Sequence, residues 1–335
     1  MIKRVSLIAE IGSVHDGSFG NAKKLIETAA EVGADTVKFQ LHIAAAETIR
    51  DAPPPPYFSG EPRFDYFNRT GFTVPEWRAL RAHCDAHRVR FLVSPFSEKA
   101  VDLLEDIGVD MYKVPSGEVT NLPLIERISK TGKPVLLSSG MSSWAELDRA
   151  VDAIRRHHSR LTVLQCTSQY PCLAERVGLN IIIEMATRYG LPVGYSDHTR
   201  GPWAAVAAVV LGAVAVEKHL TFSRRMYGSD APFATEPEEF RDLALGIRGI
   251  ETMLANPVDK NDVSWLRVMK DVFEKSVVAA VDLSPGDVIS PEKITCKKPG
   301  TGIPASEYQQ LIGRRLKRAV KADTLLTSDD LEMKS

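Results

Sequence analysis

Between residues 5 and 254, apolar β-branched runs alternate eight times with amphipathic segments, a rhythm that few folds accommodate. Strands are expected at Val5–Gly12, Thr36–Gln40, Arg90–Pro95, Met111–Pro115, Val135–Ser138, Leu161–Cys166, Pro192–Tyr195 and Ala213–His219. Helices are expected between them at Asn21–Val32, Val74–His87, Glu98–Ile107, Leu122–Lys130, Trp144–His157, Asn180–Tyr189 and Pro202–Leu211, with Glu236–Leu254 after the eighth strand. Gly33, Gly108, Gly132, Gly190 and Gly212 follow helical runs, where a left-handed residue ends a helix most cheaply. Strands that are apolar along their length belong to a parallel sheet covered on both faces. Eight such units in about 250 residues predict the α/β class, as a (β/α)8 TIM barrel. An open doubly wound sheet is the rival, but the glycine-rich dinucleotide fingerprint is missing.

The alternation stops near Ala255–Lys270. The expected organisation is a barrel over 1–255, a linker over 256–270 and a small β-rich module over 271–335. The module has strand-like pieces at Lys275–Ala280 and Lys293–Cys296, turns at Ser284-Pro-Gly-Asp and Lys298-Pro-Gly-Thr-Gly, and a basic run over 314–318 read as a solvated face. At this size it is expected to bury little core alone and to lean on a barrel, its own or a partner's. Within the barrel, Leu41 to Thr73 forms a loop of roughly 33 residues, unusually long for a structureless connection. It holds Pro53–Pro56 and the aromatics Tyr57, Phe58, Phe64, Tyr66 and Phe67, which suits either a cover for a site or a subunit contact.

Composition excludes several classes. Lys+Arg total 42 against 43 Asp+Glu, so no basic excess points to nucleic acid. The longest apolar stretch, Trp203–Val216, is about 14 residues, short of a bilayer span, and reads as a buried helix. The N-terminal apolar run breaks at Glu10 without a cleavage site, which is a poor signal peptide. Four scattered cysteines with no C-x-x-C pair suit a reducing compartment. The cytoplasm is the expected place, with small molecules rather than nucleic acid or membrane as partners.

In such a barrel, chemistry gathers where the strands end. The polar residues there are Glu10, Lys38, Gln40, Ser94, Lys113, Ser116, Glu118, Ser138, Ser139, Thr167, Ser168, Tyr170, Ser196, Asp197, His198, Glu217, Lys218 and His219, followed by Asp230. His198 and His219 end neighbouring strands and can share one divalent cation, with Glu10 or Asp230 nearby. His83, His87, His157 and His158 fall on helix faces and read as solvated; His15 and His42 fall in loops. Lys38 and Lys113 sit inside apolar strands, where an ammonium is costly unless paired with an anion. Three readings fit them: an anion site for phosphate plus carboxylate among the strand-end serines, structural salt bridges to Glu10 or Glu118, or a Schiff-base lysine.

Several runs resemble the sialic acid synthase family. They are Ile8-Ala-Glu-Ile-Gly, His15-Asp-Gly, Val37-Lys-Phe-Gln, Tyr112-Lys-Val-Pro-Ser-Gly-Glu-Val-Thr-Asn-Leu-Pro-Leu, Leu137-Ser-Ser-Gly-Met, Gly194-Tyr-Ser-Asp-His-Thr and Val216-Glu-Lys-His-Leu-Thr. From Asp287 through Lys297-Lys-Pro-Gly-Thr-Gly-Ile the tail resembles that family's antifreeze-like (SAF) domain. The resemblance runs from about residue 5 to 332, motifs in order. It implies a carbon–carbon bond-forming transferase. Phosphoenolpyruvate condenses with an N-acetylmannosamine-like aldehyde and water, giving a nine-carbon 2-keto acid and phosphate. It further implies a divalent metal, Mn2+ or Mg2+, on His198 and His219, and Glu10 acting on the water. Lys38, Ser94, Lys113, Ser116, Ser138 and Ser196 match phosphoenolpyruvate contacts. Gln40, Glu118, Ser168, Tyr170, Asp230 and Lys298 match the sugar side. A homodimer is implied, each C-terminal module capping the partner's barrel. Three positions depart from the family pattern: Val14 before His15 in place of asparagine, Ser168 in place of asparagine, and Lys298 where an arginine usually reaches the sugar's acyl group. Lysine offers a point charge instead of a rigid donor fork. A 2,4-diacetamido-trideoxy hexose, giving legionaminate or pseudaminate, is the alternative acceptor, and a Schiff-base aldolase the more distant alternative.

Overall fold

The computed structural model describes residues 4–54, 56 and 60–333. In chain order its first part comprises β1 (Ser6–Gly12), α1 (Phe19–Glu31), β2 (Thr36–Leu41), α2 (Ala44–Glu47), α3 (Arg63–Thr70), α4 (Val74–Ala86), β3 (Arg90–Pro95), α5 (Glu98–Ile107), β4 (Tyr112–Val114) and α6 (Leu122–Ser129). Then come β5 (Val135–Ser138), α7 (Trp144–Arg155), β6 (Leu161–Cys166), α8 (Leu179–Tyr189), β7 (Val193–Asp197), α9 (Trp203–Val210), β8 (Ala215–His219) and α10 (Pro237–Ala255). Strands β1 to β8 pair in parallel in sequence order, and β8 returns to β1 to close the barrel.

Strand side chains alternate between the barrel interior and the surrounding helices. Leu7, Ala9, Val37, Phe39, Tyr112 and Val163 face outward into the main core, against the apolar stripes of the helices. The other parity holds Ile8, Leu92, Leu136, Leu164 and Ala215, a separate apolar cluster that plugs the N-terminal end of the barrel. Gly194 belongs to that level, because a Cβ there would lie 2.4 Å from Leu164 Cδ2 and 2.8 Å from the Ala215 carbonyl oxygen. Two residues further along, the same strands carry Glu10, Ser94, Ser138, Cys166 and Glu217. The interior therefore turns from apolar to polar within one strand repeat. Helices leave this end from side-chain caps: Ser18, Ser97, Asn121 and Ser143 accept N–H bonds at the starts of α1, α5, α6 and α7.

Two expectations need correction. Trp203–Val216 is not one buried helix; it is α9, a turn and the start of β8. α9 buries Ala205, Ala208 and Val209 but leaves Trp203 78% and Val210 53% exposed. The long second loop is not structureless, since it contains α2 and α3, the latter anchored by buried Tyr66 and Thr70. Pro55, Tyr57 and Phe58 lie outside the described residues. No helix among the described residues is long and apolar enough to cross a membrane.

The chain divides into two compact units at Asn256/Pro257. The second unit holds α11 (Arg267–Phe273), within which the expected linker ends, then β9 (Ser276–Ala279), β10 (Ile294–Lys297) and α12 (Tyr308–Leu311). β9 and β10 are antiparallel, with Ile294 opposite Ala279. Single bridges such as Val278–Leu325, Leu283–Val320 and Leu316–Leu331 tie in the rest. These long-range ties gather Val277, Ile289, Ile294, Leu316 and Leu326 into an apolar core of the module's own, more than its length led one to expect.

Candidate active site

A cavity of about 550 Å3 opens above the polar level of the barrel. Of the residues singled out from sequence, Glu10, Lys38, Gln40, Lys113, Ser116, Ser138, Ser168, Tyr170, Ser196, His198, His219 and Asp230 line it. Ser94 is buried beside it and accepts a hydrogen bond from Lys38 Nζ at 3.4 Å. Glu118 lines an adjoining cavity instead, with Glu47 and Asn121, and accepts from Asn121 Nδ2 at 2.7 Å. Lys298 belongs to the second unit, its ammonium 5.0 Å from the centroid of the Phe273 ring.

Four buried charges form the floor. Lys113 on β4 reaches across the barrel to β8, where its Nζ lies 2.8 Å from both Glu217 oxygens. Lys38 Nζ lies 3.1 Å from Glu10 Oε1 and 3.3 Å from Glu217 Oε1. Ser196 Oγ donates to Glu217 Oε1 at 3.2 Å. The expected salt bridges thus exist, but the partner of Lys113 is Glu217, not Glu118. Burial would raise the Glu217 carboxyl, yet Lys113 and Lys38 outweigh it and hold the group well below the usual carboxylate range. Glu10 goes the other way: burial pushes it up to about 7 despite Lys38. Its Oε1 accepts from Gln40 Nε2 at 2.7 Å, while its Oε2 finds no partner among the described residues. Ser138 Oγ is buried without a partner in the same way. A buried polar atom left unpaired costs free energy, so these atoms point to a polar ligand.

The histidines stand at the mouth, ring centroids 5.8 Å apart. His198 Nδ1 lies 2.8 Å from the Thr167 carbonyl oxygen, which assigns a proton to Nδ1 and makes Nε2 the nitrogen available to a metal. Buried His219 has an Nδ1 with no partner among the described residues. Burial lowers its pKa to about 4, with Asp230 opposing and His198 and Lys38 reinforcing. His198 Nε2 and the unpartnered Nδ1 of His219 are imidazole nitrogens of the kind that hold a divalent cation. Among the described residues, the group whose three donors converge within 4.8 Å is a different one, Glu27, His83 and His87, outside this cavity.

Loop backbones complete the walls. Gly140 passes between two serines: its N–H donates to Ser116 Oγ at 3.0 Å, and a Cβ would lie 2.3 Å from Ser168 Oγ and 2.5 Å from Ser116 Oγ. Asp230 accepts from the Ser13 N–H at 3.0 Å, which ties the eighth loop to the first. The sequence reading missed part of the rim. His42 is stacked between Phe67 (3.7 Å) and Phe96 (4.1 Å) and contacts Gln40 Oε1 at 3.1 Å. Arg63 lies over Phe67, its Nε unpaired among the described residues. Pro53, Pro54 and Pro56 close the same side. Glu217 was placed among the strand-end polar residues but given no role, although it shares the inward parity of His219 two residues on; Arg63 carried no signal, because a tertiary fold-back of α3 brings it there.

Comparison with known proteins agrees with this layout. The NeuB family model matches residues 25–259, and the SAF domain model matches residues 274–332. N,N'-diacetyllegionaminic acid synthase of Campylobacter jejuni is 34% identical over 333 residues, covering 97% of this chain and 99% of that one. The human N-acetylneuraminate-9-phosphate synthase is 32% identical over 330 residues, covering 96% and 91%. Among solved structures, the N-acetylneuraminic acid synthetase of Leptospira borgpetersenii superposes with a TM-score of 0.70 at 28% identity, covering 80% of this chain and 90% of that one.

Proposed function

The chain belongs to the NeuB family and is an enzyme whose barrel is followed by an SAF domain, and on that premise we propose that it condenses phosphoenolpyruvate with an N-acetylmannosamine-like aldehyde and water to give a nine-carbon 2-keto acid and phosphate. The observation that carries this reading is the pair of buried ammonium groups, Lys38 and Lys113, on a floor of hydroxyls in the cavity that His198 and His219 also line. Phosphoenolpyruvate brings a phosphate and a carboxylate, and its charge compensates buried lysines. Ser94, Ser116, Ser138 and Ser196 supply hydroxyl donors at the same level.

C3 of phosphoenolpyruvate forms the new bond to the aldehyde carbon, and the electron deficiency left at C2 is filled by water. Glu10 takes the proton from that water; a carboxyl raised to about 7 can both hold and release a proton near neutrality. The proton taken by Glu10 passes to the former aldehyde oxygen; the adduct then breaks the C2–O bond to the phosphate, which leaves with that bond's electrons and takes up the proton of the C2 hydroxyl, forming the C2 carbonyl. His198 and His219 would hold a divalent cation, which when bound would supply Lewis-acid polarisation of the aldehyde oxygen, and imidazole donors favour Mn2+ over Mg2+. Gln40, Ser168, Tyr170 and Asp230 are assigned to the acceptor. Glu118 is assigned to the acceptor's far end, because its cavity shares Phe96 and Gly117 with the first. We assign Lys298 the same role across a homodimer, each SAF module capping the partner's barrel, in the cytoplasm.

A second acceptor, a 2,4-diacetamido-2,4,6-trideoxy hexose, is supported by the similarity to proteins named N,N'-diacetyllegionaminic acid synthase. The test is phosphate release from phosphoenolpyruvate with manganese, with and without chelator. The panel holds N-acetylmannosamine, its 6-phosphate, the diacetamido sugar, arabinose 5-phosphate and no sugar. Metal-dependent release with an acylated amino sugar is expected. Silence across the panel in folded, metal-loaded protein would overturn the reading, and borohydride trapping at Lys38 or Lys113 would replace it with a Schiff-base aldolase. Removing residues 271–335 should abolish sugar use more than metal binding.

A further inference from the structure

Glu27, His83 and His87 lie outside the cavity, and no step of the proposed reaction uses them. His83 and His87 are four residues apart, His83 on α4 and His87 at its C-terminal cap, so their side chains share one face. Their ring centroids are 4.6 Å apart. Glu27 is on α1, which packs beside α4. Its Oε1 is 3.1 Å from His83 Nε2, so the sequence expectation that His83 is merely solvated does not hold. One donor atom from each of the three side chains falls within 4.8 Å of the others.

We propose that these three side chains form a second, peripheral metal site, for zinc or a similar nitrogen-seeking divalent cation, which ties α1 to α4 independently of the cavity. Two imidazoles and one carboxylate are a zinc donor set, and at bond lengths of about 2.0–2.2 Å two tetrahedral ligands stand roughly 3.3–3.5 Å apart. The Glu27–His83 pair is already near that spacing. His87 is exposed, so it can turn to close the remaining gap without disturbing the core. Lys24 holds the other Glu27 oxygen at 2.6 Å, leaving Oε1 to the metal, and at 69% exposure it returns to water readily. Such a donor set selects zinc, nickel or copper over magnesium, which prefers oxygen ligands. One consequence is that zinc bound by this protein reports two places, not one, and says nothing by itself about the metal in the barrel.

The test uses the full chain, stripped of metal and titrated with zinc alone, with Co2+ absorption and thermal melting as further readouts. A His198→Ala/His219→Ala background removes the cavity pair. In that background one zinc equivalent and a zinc-dependent rise in Tm are expected. Adding His87→Ala, at an exposed position, or Glu27→Gln should abolish both. His87→Ala alone should leave manganese-supported phosphate release unchanged, which keeps this site separate from the reaction proposed above. No zinc equivalent in the background, or one that survives both His87→Ala and Glu27→Gln, overturns the proposal.

Discussion

Replacing Glu217 by glutamine tests the floor of the cavity most directly. The substitution keeps shape and one acceptor oxygen but removes the negative charge that faces Lys113 at 2.8 Å and Lys38 at 3.3 Å. Without ligand, the floor holds two ammonium and two carboxyl groups; the variant leaves it one negative charge short. Breaking a buried pair by removing one partner costs about 3–5 kcal/mol, and the retained oxygen places this case at the lower end, about 3 kcal/mol. At roughly 2–4 °C per kcal/mol for a domain of this size, the melting temperature should fall by about 6–12 °C. An anion in the cavity takes over the role of the lost carboxylate. Phosphoenolpyruvate, or inorganic phosphate at higher concentration, should therefore stabilise Glu217→Gln more than the unaltered protein and narrow the gap. A Glu217→Gln/Lys113→Met double variant removes the stranded charge too, and should recover much of the loss. The assay is thermal melting with and without each anion. An unchanged melting temperature, or a loss that the anion leaves untouched, would refute the view that this floor is a balanced anion site.

Other outcomes follow from the same geometry. Glu10→Gln should lower kcat for phosphate release by about 10²–10⁴, the usual contribution of a positioned acid–base group, and change the KM for phosphoenolpyruvate only a few-fold; a kcat within threefold would reassign the proton transfer. A chelator should stop turnover and manganese restore it, while His219→Ala should need far more metal for the same rate, read from steady-state kinetics. Burial works to raise the Asp35 carboxyl, but the Leu7 amide at 2.9 Å and the guanidiniums of Arg4 and Arg248 hold it below its ordinary value. A depressed folded-state pKa contributes stability that is present above the unfolded value of about 3.9 and lost as pH falls through the folded value. Asp35→Asn should thus cost about 1–3 kcal/mol near neutrality, with the difference from the unaltered protein shrinking below about pH 4 in urea melts. Gly194→Ala, which drives a methyl toward the Ala215 carbonyl and Leu164, should destabilise by about 1–3 kcal/mol or more, measured the same way.

Much of the barrel could be read before any coordinates, because strand and helix periods are local signals. All eight expected strands and all eight expected helices begin and end within two residues of expectation, and β3, β5, β6 and α5 coincide with it. The errors fell where local pattern is weakest. α9 is apolar enough to look buried, yet whether Trp203 is covered depends on what lies opposite it. α3 has only eight residues, too few for a period to emerge from a proline-rich loop. Chemistry was legible only to the level of strand parity. That parity places Glu10, Lys113 and His219 inside the barrel at its polar end, but it cannot say that Glu217 and not Glu118 answers Lys113 from the opposite wall. The residues are 104 positions apart for one pair and five for the other.

The amino-acid sequence alone determined the alternation of elements, the end of the barrel where polar groups collect and the family to which the motifs belong, since each is carried by residue order over a few turns or strands. Tertiary structure decided which charges neutralise one another, how far Glu10 and His219 are driven from their ordinary pKa values, which atoms stay unpaired, and that His83 and His87 meet Glu27. Those properties depend on distance and on exclusion of water, and both arise only when segments far apart in the chain are brought together.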